Sequence, residues 1–423
     1  MNYENSSDYA VELDRQDSLK QFQDSFYFPH NAKNQKHIYL CGNSLGLQTK
    51  STRKWVSEIL DGWEFRAVKG HFTGPHPWLA FHELLTEKLA SVVGAHSMEV
   101  VAMNSLTVNL HLMMVSFYRP TVERNKILIE AKAFSSDVYA VSSQIRFHGF
   151  EPETSLIVAY PRQGEINIRT EDLLALIESE GDTISLILFP GVQYFTGQAF
   201  DMAKITEAGH KKGCIVGFDL AHAAGNLLLK LHDWDVDFAV WCSYKYLNAG
   251  PGAVAACFVH ERYSLQFDLP RFTGWWGHDK SSRFQMPDQF CVLPGAEGWQ
   301  ISNPPILSMA PLLASLEQFD KAGMPALRAK SEKLTAYLDF LLRQQCDDKI
   351  TIITPATSDD RGAQLSLILA GEIQQWKKVH EKLTQAGVVC DWREPNVMRV
   401  APVPLYNRFI EVFDFVKLLQ SIL

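Results

Sequence analysis

Short runs of consecutive apolar residues recur between positions 100 and 260, and they predict buried strands. These runs do not alternate apolar with polar residues, so both of their faces are expected to lie against other elements. The strand-like runs are VVAMNS, KILIEA, SLIVAYP, ISLILFPG, CIVGFDLA, FAVWCSYK and AVAACFVH. Between them, TEDLLALIESEG and DMAKITEAGHKKG have helical apolar spacing and end at glycine, a common helix stop. The pattern predicts an α/β fold whose large lobe has a mainly parallel mixed sheet covered by helices.

The apolar pattern changes after residue 300, which predicts a second, smaller lobe. After PPILSMAPLLASLEQFDKAG, a long helix is expected over MPALRAKSEKLTAYLDFLLRQQ, and it leads into a lobe with further helices and short strands at TIITP, QLSLILA and VMRVAP. The 423 residues also exceed the length that one hydrophobic core usually supports. We therefore expect an N-terminal segment over 1–65 that packs on the small lobe, a large domain over 66–320, and an α+β domain over 321–423.

Composition and charge exclude several classes of protein. The chain has 40 basic and 48 acidic residues and no long Lys/Arg block, so nucleic acid is not an expected partner. Its longest apolar run, Ala253–Val259, is too short to span a membrane, and the polar N-terminus is unlike a signal peptide, which predicts a cytoplasmic protein. The seven cysteines form no CxxC pair and the histidines no HExxH, so we predict reduced thiols and no metal site.

A lysine and an aspartate end two of the predicted strands. Lys245 follows FAVWCSY, where an apolar setting can lower the pKa of an amine and make it a nucleophile, although a lysine that reaches solvent fits equally well. Asp219 interrupts CIVGFDLA, and a buried carboxylate needs a positive or hydrogen-bonding partner. The pyridinium nitrogen of pyridoxal phosphate is such a partner, and His222 could reach the same ring. Alternatively, Asp219 caps a helix and His222 is a core histidine.

Lys245 and Asp219 are 245 − 219 = 26 positions apart, enough for a crossover and one further strand, so they can meet at neighbouring strand ends.

A phosphate site is predicted in MNSLTVNLHLMM, where Asn104 or Ser105 would cap a helix with free amides and Thr107 would add a hydroxyl. The alternative is a plain capped helix. In AKAFSSDVYA, Phe134 could stack on a flat ring and Asp137 could reach the lysine, or the pair could be a core residue beside a helix cap.

Taken together, these stretches resemble the kynureninases, pyridoxal-phosphate enzymes of the aspartate aminotransferase fold, also called fold type I. The resemblance is carried by SYKYLNAG, FDLAHAAGN, NSLTVNLH and AKAFSSD, and it continues in YLCGNSLGLQ, FTGWWGH, ISNPPI and VMRVAPVPLYN. It spans residues 38–407, nearly the whole chain. It implies a homodimer with active sites at the subunit interface, and hydrolysis of kynurenine or 3-hydroxykynurenine to an anthranilate and alanine through an aldimine and a ketimine of the cofactor.

The resemblance also implies roles for individual residues. Lys245 would bond to the cofactor, Tyr244 would contact its phosphate and serve as proton donor, and Asp219 would hold the pyridine nitrogen. The remaining cofactor contacts would be Leu106, Thr107, Phe134, Asp137, His222, and, from the partner subunit, Trp275 and Asn303. FSSD stands where FPSD is common in the family, and Pro190 replaces a serine found in some relatives, so Pro190 is left out of the predicted site.

Four further residues are predicted to bind substrate. Arg399, polar within the apolar VMRVAP, would clamp the α-carboxylate, unless it is a surface arginine. His71, with Ser302 and Asn303, resembles the polar pocket of members that favour 3-hydroxykynurenine, although His71 could be a plain loop residue. Asn43, in YLCGNSLGLQ, completes the predicted set.

Two other functions compete with this prediction. A cysteine desulfurase or an aminotransferase could use the same fold, and a desulfurase needs a reactive cysteine on a loop, for which Cys291 is the candidate. A binding protein that has lost catalysis is disfavoured, because Lys245 and Asp219 are both present.

Overall fold

The computed structural model describes residues 3–423 and contains two main sheets with the helices that cover them. In chain order the strands are β1 (Ile38–Tyr39), β2 (Val100–Ala102), β3 (Lys126–Glu130), β4 (Leu156–Ala159), β5 (Ile184–Pro190), β6 (Ile215–Asp219), β7 (Phe238–Trp241), β8 (Ala256–Val259), β9 (Ile350–Ile352), β10 (Leu365–Leu369), β11 (Val388–Val389), β12 (Asp391–Arg393) and β13 (Val397–Val400). The helices are α1 (Ser7–Gln16), α2 (Thr52–Arg66), α3 (Glu83–Val93), α4 (Leu106–Phe117), α5 (Ser135–Phe147), α6 (Pro152–Ser155), α7 (Thr170–Glu180), α8 (Met202–Lys211), α9 (Ile306–Ala322), α10 (Met324–Cys346), α11 (Ile373–Gln385) and α12 (Phe409–Ile422).

The larger sheet has seven strands in the order β2-β8-β7-β6-β5-β3-β4. Neighbours from β7 through β4 run parallel, and β8 is antiparallel to both β2 and β7. Each of the seven predicted strands is present, and the prediction of a mainly parallel mixed sheet is confirmed.

The continuous apolar runs arise because the sheet is buried on both faces. Along β5, Leu186 and Leu188 belong to one hydrophobic core, whereas Ile187 and Phe189 belong to another on the opposite face. Successive side chains of a strand point to opposite faces, so a strand between two helical layers needs apolar residues at every position. This is why the alternating pattern of a half-exposed strand is missing.

The helices predicted between these strands are also present. α7 is followed directly by Gly181, and α8 is followed by Lys212 and then Gly213, whose φ is +70°. At the start of α8 the Asp201 side chain accepts a hydrogen bond from the Lys204 backbone N–H, which satisfies one of the free amides of the first turn.

The smaller sheet is antiparallel, in the order β12-β13-β10-β9, and covers a separate core with α10, α11 and α12. Strands were predicted at TIITP, QLSLILA and VMRVAP, and all three are confirmed by β9, β10 and β13. β12 was missed, because its three residues, Asp-Trp-Arg, include two charges and give no apolar run. Among the described residues, none of the helices has both the length and the apolar content that crossing a bilayer requires.

The N-terminal helix lies against the helices near the C-terminus. Asp14 on α1 accepts a hydrogen bond from the Phe409 N–H at 2.7 Å, and buried Lys330 on α10 pairs with Asp17 at 2.7 Å. Within α10 itself, Leu327 belongs to the core of the larger sheet and Leu334 to that of the smaller one. The division into 1–65, 66–320 and 321–423 stays a prediction.

Candidate active site

A cleft of about 560 Å³ opens at the ends of the central parallel strands. Asp219 is the last residue of β6 and is in register with Val240 of the neighbouring β7, and Lys245 follows four residues after β7 ends at Trp241. Ligands of open α/β sheets bind at this edge, outside the carboxyl ends of the strands. The lining residues are Leu106, Thr107, Glu130, Phe134, Ser136, Asp137, Pro190, Val192, Tyr194, Asp219, Ala221, His222, Tyr244 and Lys245. The structure thus brings every cofactor residue predicted for this subunit into one cleft, although their individual roles stay predictions.

Lys245 lies beside a neutral imidazole. Its Nζ is 3.1 Å from His222 Nε2. Burial, and then the charge of Lys245, lower the pKa of His222 well below its usual value, so the ring carries no charge at neutral pH. His222 Nδ1 is buried and has no hydrogen-bond partner among the described residues. A ligand bound in the cleft would be able to supply one.

Three buried carboxyl groups face this single ammonium group. Asp219 Oδ1 accepts a hydrogen bond from the Ala221 N–H at 2.7 Å. Asp137 is hydrogen-bonded to Asp219, and burial, followed by the charge of Asp219, raises the pKa of Asp137 well above its usual value. Burial also raises the pKa of Glu130 to about 8. Among these groups Asp219, whose charged form the Ala221 amide and Lys245 stabilise, is the one suited to a protonated ring nitrogen of a ligand.

The first turn of α4 forms the opposite wall. Ser105 is the N-cap and makes no side-chain capping bond, so the amides of this turn lack a side-chain partner from the cap. Asn104, the other predicted cap, adopts φ +50° and donates to Asn109 Oδ1. Thr107 Oγ1 is 2.8 Å from Ser136 Oγ. Free amides at a helix start and two hydroxyls form a cradle suited to a phosphate.

Arg399 is buried rather than on the surface. Its side chain is fully buried, donates from Nη1 to the Tyr194 carbonyl at 2.7 Å and forms an ion pair with Asp391. Burial lowers the pKa of Arg399 to about 10. Tyr194 lines the cleft, and its ring meets Phe134 edge-on at 5.3 Å. The alternative of a surface strand arginine is therefore wrong. Arg399 contacts the wall of the cleft by its hydrogen bond to the Tyr194 carbonyl.

The remaining predicted residues do not line the cleft of this chain. His71 packs edge-on against Trp78, and Asn43 is buried and donates to Gln364 Oε1. Trp275 donates from Nε1 to the Arg283 carbonyl, and Ser302 and Asn303 are exposed. The structure of one chain does not bring these five side chains together with Lys245.

Sequence reasoning missed several cleft residues. Glu130 ends the apolar strand KILIE just as Asp219 ends IVGFD, so the same signal was present and was not used. Pro190, which was left out of the predicted site, pairs with Asp219 across β5 and β6 and lines the cleft. Tyr194 gave no signal, because it lies in a loop without regular spacing.

Solved structures define the class of fold. A cysteine desulfurase from Thermococcus onnurineus NA1 matches with a TM-score of 0.72 and 16% identity over 91% of this chain and 94% of its own. A C-DES structure with glycine linked covalently to its PLP cofactor matches with a TM-score of 0.75 and 14% identity over 91% of this chain and 96% of its own. The protein thus has the fold type I architecture of pyridoxal-phosphate enzymes, as predicted.

Sequence relatives narrow the class to one family. A kynureninase from Koribacter versatilis is 56% identical over 98% of this chain and 97% of its own length, and one from Myxococcus xanthus is 56% identical over 99% and 98%. The family described as Kynureninase C-terminal domain matches residues 327–419. The chain belongs to the kynureninase family, which confirms the resemblance identified from its motifs.

The competing functions are not favoured by these findings. The desulfurases share the fold at 14–16% identity, which carries no information on the reaction. Cys291 is exposed and does not line the cleft, whereas burial raises the pKa of Cys242 above its usual value, which suppresses its thiolate form.

Proposed function

We propose that this protein is a pyridoxal-phosphate-dependent kynureninase that hydrolyses L-kynurenine and 3-hydroxy-L-kynurenine. Water cleaves the bond between the β-carbon and the aryl ketone carbon, which releases anthranilate or 3-hydroxyanthranilate together with L-alanine. The observation that carries the proposal is the convergence of Lys245, His222 and Asp219 in one cleft, within a chain that is 56% identical to kynureninases over nearly its whole length. A cytoplasmic location is proposed with it.

The cleft has the groups that pyridoxal phosphate requires. When bound, this cofactor supplies an aldehyde that bonds to amines and a protonated ring that stabilises negative charge on the adjoining carbon. Asp219 would hold the ring nitrogen, His222 and Asp137 would flank the ring, and Phe134 would stack on it. Leu106 and Thr107 would hold the phosphate with the amides of α4 and the Thr107 hydroxyl. This fit is supported by two buried atoms, His222 Nδ1 and Asp137 Oδ1, which have no hydrogen-bond partner in the described part of the chain.

The side chains of the cleft can move the protons that the reaction requires. Lys245 would hold the cofactor and, once the substrate amine has taken its place, accept the proton from the substrate Cα. Burial raises the pKa of Tyr244 above its usual value, so its phenol stays protonated and would donate to the ketone oxygen as water adds. Arg399 would bind the α-carboxylate in place of Asp391, which requires the present ion pair to open.

We also propose a homodimer in which each cleft is completed by the partner. Large apolar side chains are exposed on two stretches that meet, where Phe72 lies 6.0 Å from Phe284 and Phe284 meets Trp275 at 5.4 Å. The exposed members are Trp63, Phe65, Val68, Phe72, Leu265, Phe267, Phe272, Trp275, Phe284 and Met286. A contiguous exposed apolar patch is typical of a subunit interface. Trp275, Asn303, Ser302 and His71 lie on or near these stretches, which supports their action in the partner's cleft.

A direct assay tests the reaction. The purified protein, loaded with pyridoxal phosphate, is incubated with each kynurenine, and the aromatic product and alanine are quantified. We expect equimolar anthranilate and alanine from kynurenine, the hydroxylated pair from 3-hydroxykynurenine, and no product with Lys245→Ala. Sulfur released from cysteine, or amino transfer without carbon–carbon cleavage, would instead support one of the two competing enzymes.

A second experiment tests the attachment site of the cofactor. Borohydride reduction of the loaded protein followed by peptide mapping is expected to place the label on Lys245. Lys132→Gln is a matched control, because Lys132 is exposed two residues beyond Glu130 and does not line the cleft. That variant should be labelled like the unmodified protein, and label on any other lysine would contradict the proposed role of Lys245.

A further inference from the structure

A second group of ionisable side chains lies outside the cleft. His96 and Glu99 precede β2, His232 lies in the connection from β6 to β7, and Glu261 follows β8. The potential ligand atoms of these four residues all lie within 4.8 Å of one another. None of the four lines the cleft, so the group is separate from the proposed chemistry.

The geometry joins two imidazoles and two carboxylates. His96 Nδ1 is 3.0 Å from Glu261 Oε2, and His232 Nδ1 is 3.0 Å from Glu99 Oε1. The two imidazole rings lie close together and tilted, with centroids 3.9 Å apart and an interplanar angle of 31°. A neutral imidazole offers a lone pair on one ring nitrogen and an ionised carboxylate offers two acceptor oxygens, so all four side chains are of types that can bind a cation.

Glu99 is fixed in place before any ligand arrives. Its side chain is fully buried, Oε2 accepts from the His96 N–H at 2.8 Å, and Oε1 accepts from the Glu261 N–H at 2.8 Å. Hydrogen bonds of this kind orient carboxylates that bind metals. A third histidine, His260, stacks on His232 at 5.0 Å, and its Nδ1 accepts from the Arg262 N–H, so it supports the group without offering that nitrogen.

We propose that His96, Glu99, His232 and Glu261 form a zinc site. Two imidazole nitrogens and two carboxylate oxygens form a four-ligand set that Zn²⁺ accepts, with ligand bonds of about 2.0–2.2 Å. In a tetrahedral site with these bond lengths, the ligand atoms lie about 3.4 Å apart. The potential ligand atoms now lie up to 4.8 Å apart, so the side chains would have to move by about 1 Å to bind one ion. The ion would join the start of β2 to the β6–β7 connection and the end of β8.

A second group of possible metal ligands is less suited to a cation, because a lysine already pairs with its carboxylates. His82, Glu83 and Glu297 also lie close together, but Lys280 pairs with Glu83 at 2.9 Å and with Glu297 at 2.6 Å. An ammonium group already neutralises those carboxylates. Among the described residues, no lysine or arginine is paired with Glu99 or Glu261, whose ion-pair partners are His96, His232 and His260.

The sequence did not predict this site, because no HExxH or CxxC spacing joins these residues. His96 and His232 are 232 − 96 = 136 positions apart. Their convergence depends on the order of strands in the sheet, in which β2 and β8 are neighbours and β7 follows β8.

The experiment measures zinc binding directly. Cofactor-loaded protein is treated with a chelator, dialysed against zinc chloride with excess magnesium, and analysed for bound metal. We expect about one ion per chain above that bound by the His96→Gln/His232→Gln variant, and a rise of Tm by about 2–4 °C at saturating zinc. His96→Gln and His232→Gln should each weaken binding by at least about 10-fold. His76→Gln is the matched control, because His76 Nδ1 also meets a carboxylate, Glu58 Oε1, but has no second pair beside it.

Two results of the zinc-binding measurement would overturn the proposal. One is an unmodified protein that binds no zinc beyond the level of the double variant. The other is an equal loss of zinc binding in His76→Gln. If the histidine variants do not fold, Glu261→Gln replaces them, because that side chain is 41% exposed and its loss leaves the core intact. Replacement of zinc by Co²⁺ in the unmodified protein should give intense visible absorption, and weak bands of octahedral cobalt would refute the four-ligand geometry. None of these results depends on the proposed enzymatic activity.

Discussion

The charge state of the cleft depends on a few buried carboxyl groups around Lys245. Asp137 and Glu130 have raised pKa values because they are buried, and the negative charge of Asp219 adds to both effects. Burial also raises the pKa of Asp219, but the Ala221 amide, Lys245 and the hydrogen bond from Asp137 all stabilise its charged form and oppose that rise. We therefore infer that Asp219 is the carboxylate of the cleft, while Asp137 and Glu130 keep their protons at neutral pH.

The assignment of Asp219 predicts an outcome for Asp219→Asn. An amide cannot keep a ring nitrogen protonated, so kcat should fall by at least about 10²-fold, as when a group that stabilises developing charge is removed. Asp219→Glu should retain more activity. The measurement is kcat for kynurenine with a spectrum of the bound cofactor. A fully active Asp219→Asn variant would contradict the inferred contact with the ring nitrogen.

Glu130 predicts a pH dependence of stability in the cofactor-free protein. Its pKa is about 8 in the folded state, against an ordinary value of 4.5, so the folded state binds more protons across this window. The free energy of unfolding should therefore fall as pH rises from 4.5 to 8, by up to about 1.4 kcal/mol per pH unit. Below pH 4.5 this loss of unfolding free energy is absent, and above pH 8 it is complete.

The variant Glu130→Gln isolates this effect, because glutamine imitates the protonated acid and cannot ionise. We expect it to stabilise the cofactor-free protein at pH 8 by up to about 4 kcal/mol and to leave stability near pH 4.5 almost unchanged. Urea unfolding at both pH values provides the measurement. Equal pH profiles for the two proteins would show that Glu130 is not the titrating group.

The connection between α9 and α10 depends on one glycine. Gly323 ends α9 and begins α10 with φ +75° and ψ 133°, a conformation that L side chains rarely adopt. An added Cβ would have room, since the nearest atom is Pro325 Cδ at 3.9 Å. The cost of Gly323→Ala should therefore come from backbone strain alone, about 1–3 kcal/mol of unfolding free energy.

Thermal unfolding of Gly323→Ala tests this, with Lys321→Ala as a control in the last turn of the same helix. Lys321 is exposed and helical, so its replacement should change stability by less than about 0.5 kcal/mol. If both variants unfold alike, the positive φ at Gly323 carries no measurable cost.

The shared cleft of the proposed homodimer predicts complementation between two inactive variants. Lys245→Ala lacks the lysine proposed to hold the cofactor, and Trp275→Ala lacks a side chain proposed to act in the partner's cleft. In an equal mixture, half of the dimers contain one subunit of each variant. In each of these mixed dimers, one of the two clefts has both Lys245 and the partner's Trp275. The mixture should therefore have about one quarter of the normal activity. Activity is measured after subunit exchange, with each variant alone as the control. No recovery, or a monomer by light scattering, would contradict the shared cleft.

Local patterns in the sequence determined most of the fold. Each central strand is an apolar run because both faces of the larger sheet are covered, and each predicted helix has the spacing of a one-sided apolar face. The residues that end strands, Asp219 and Lys245, could be predicted to converge, because parallel neighbours present their carboxyl ends at the same edge. β12 was missed because three residues with two charges give no local signal.

Only the tertiary structure decided the contacts between residues that are distant in the chain. The sequence by itself determined the seven strands of the larger sheet and the family, since these depend on local spacing and on contiguous motifs. The burial of Arg399 against Asp391, the presence of Glu130 beside Asp219, and the meeting of His96 with His232 depend on strand order and register. Charges and pKa values follow from those contacts, because desolvation is set by everything that packs around a group rather than by its neighbours in sequence.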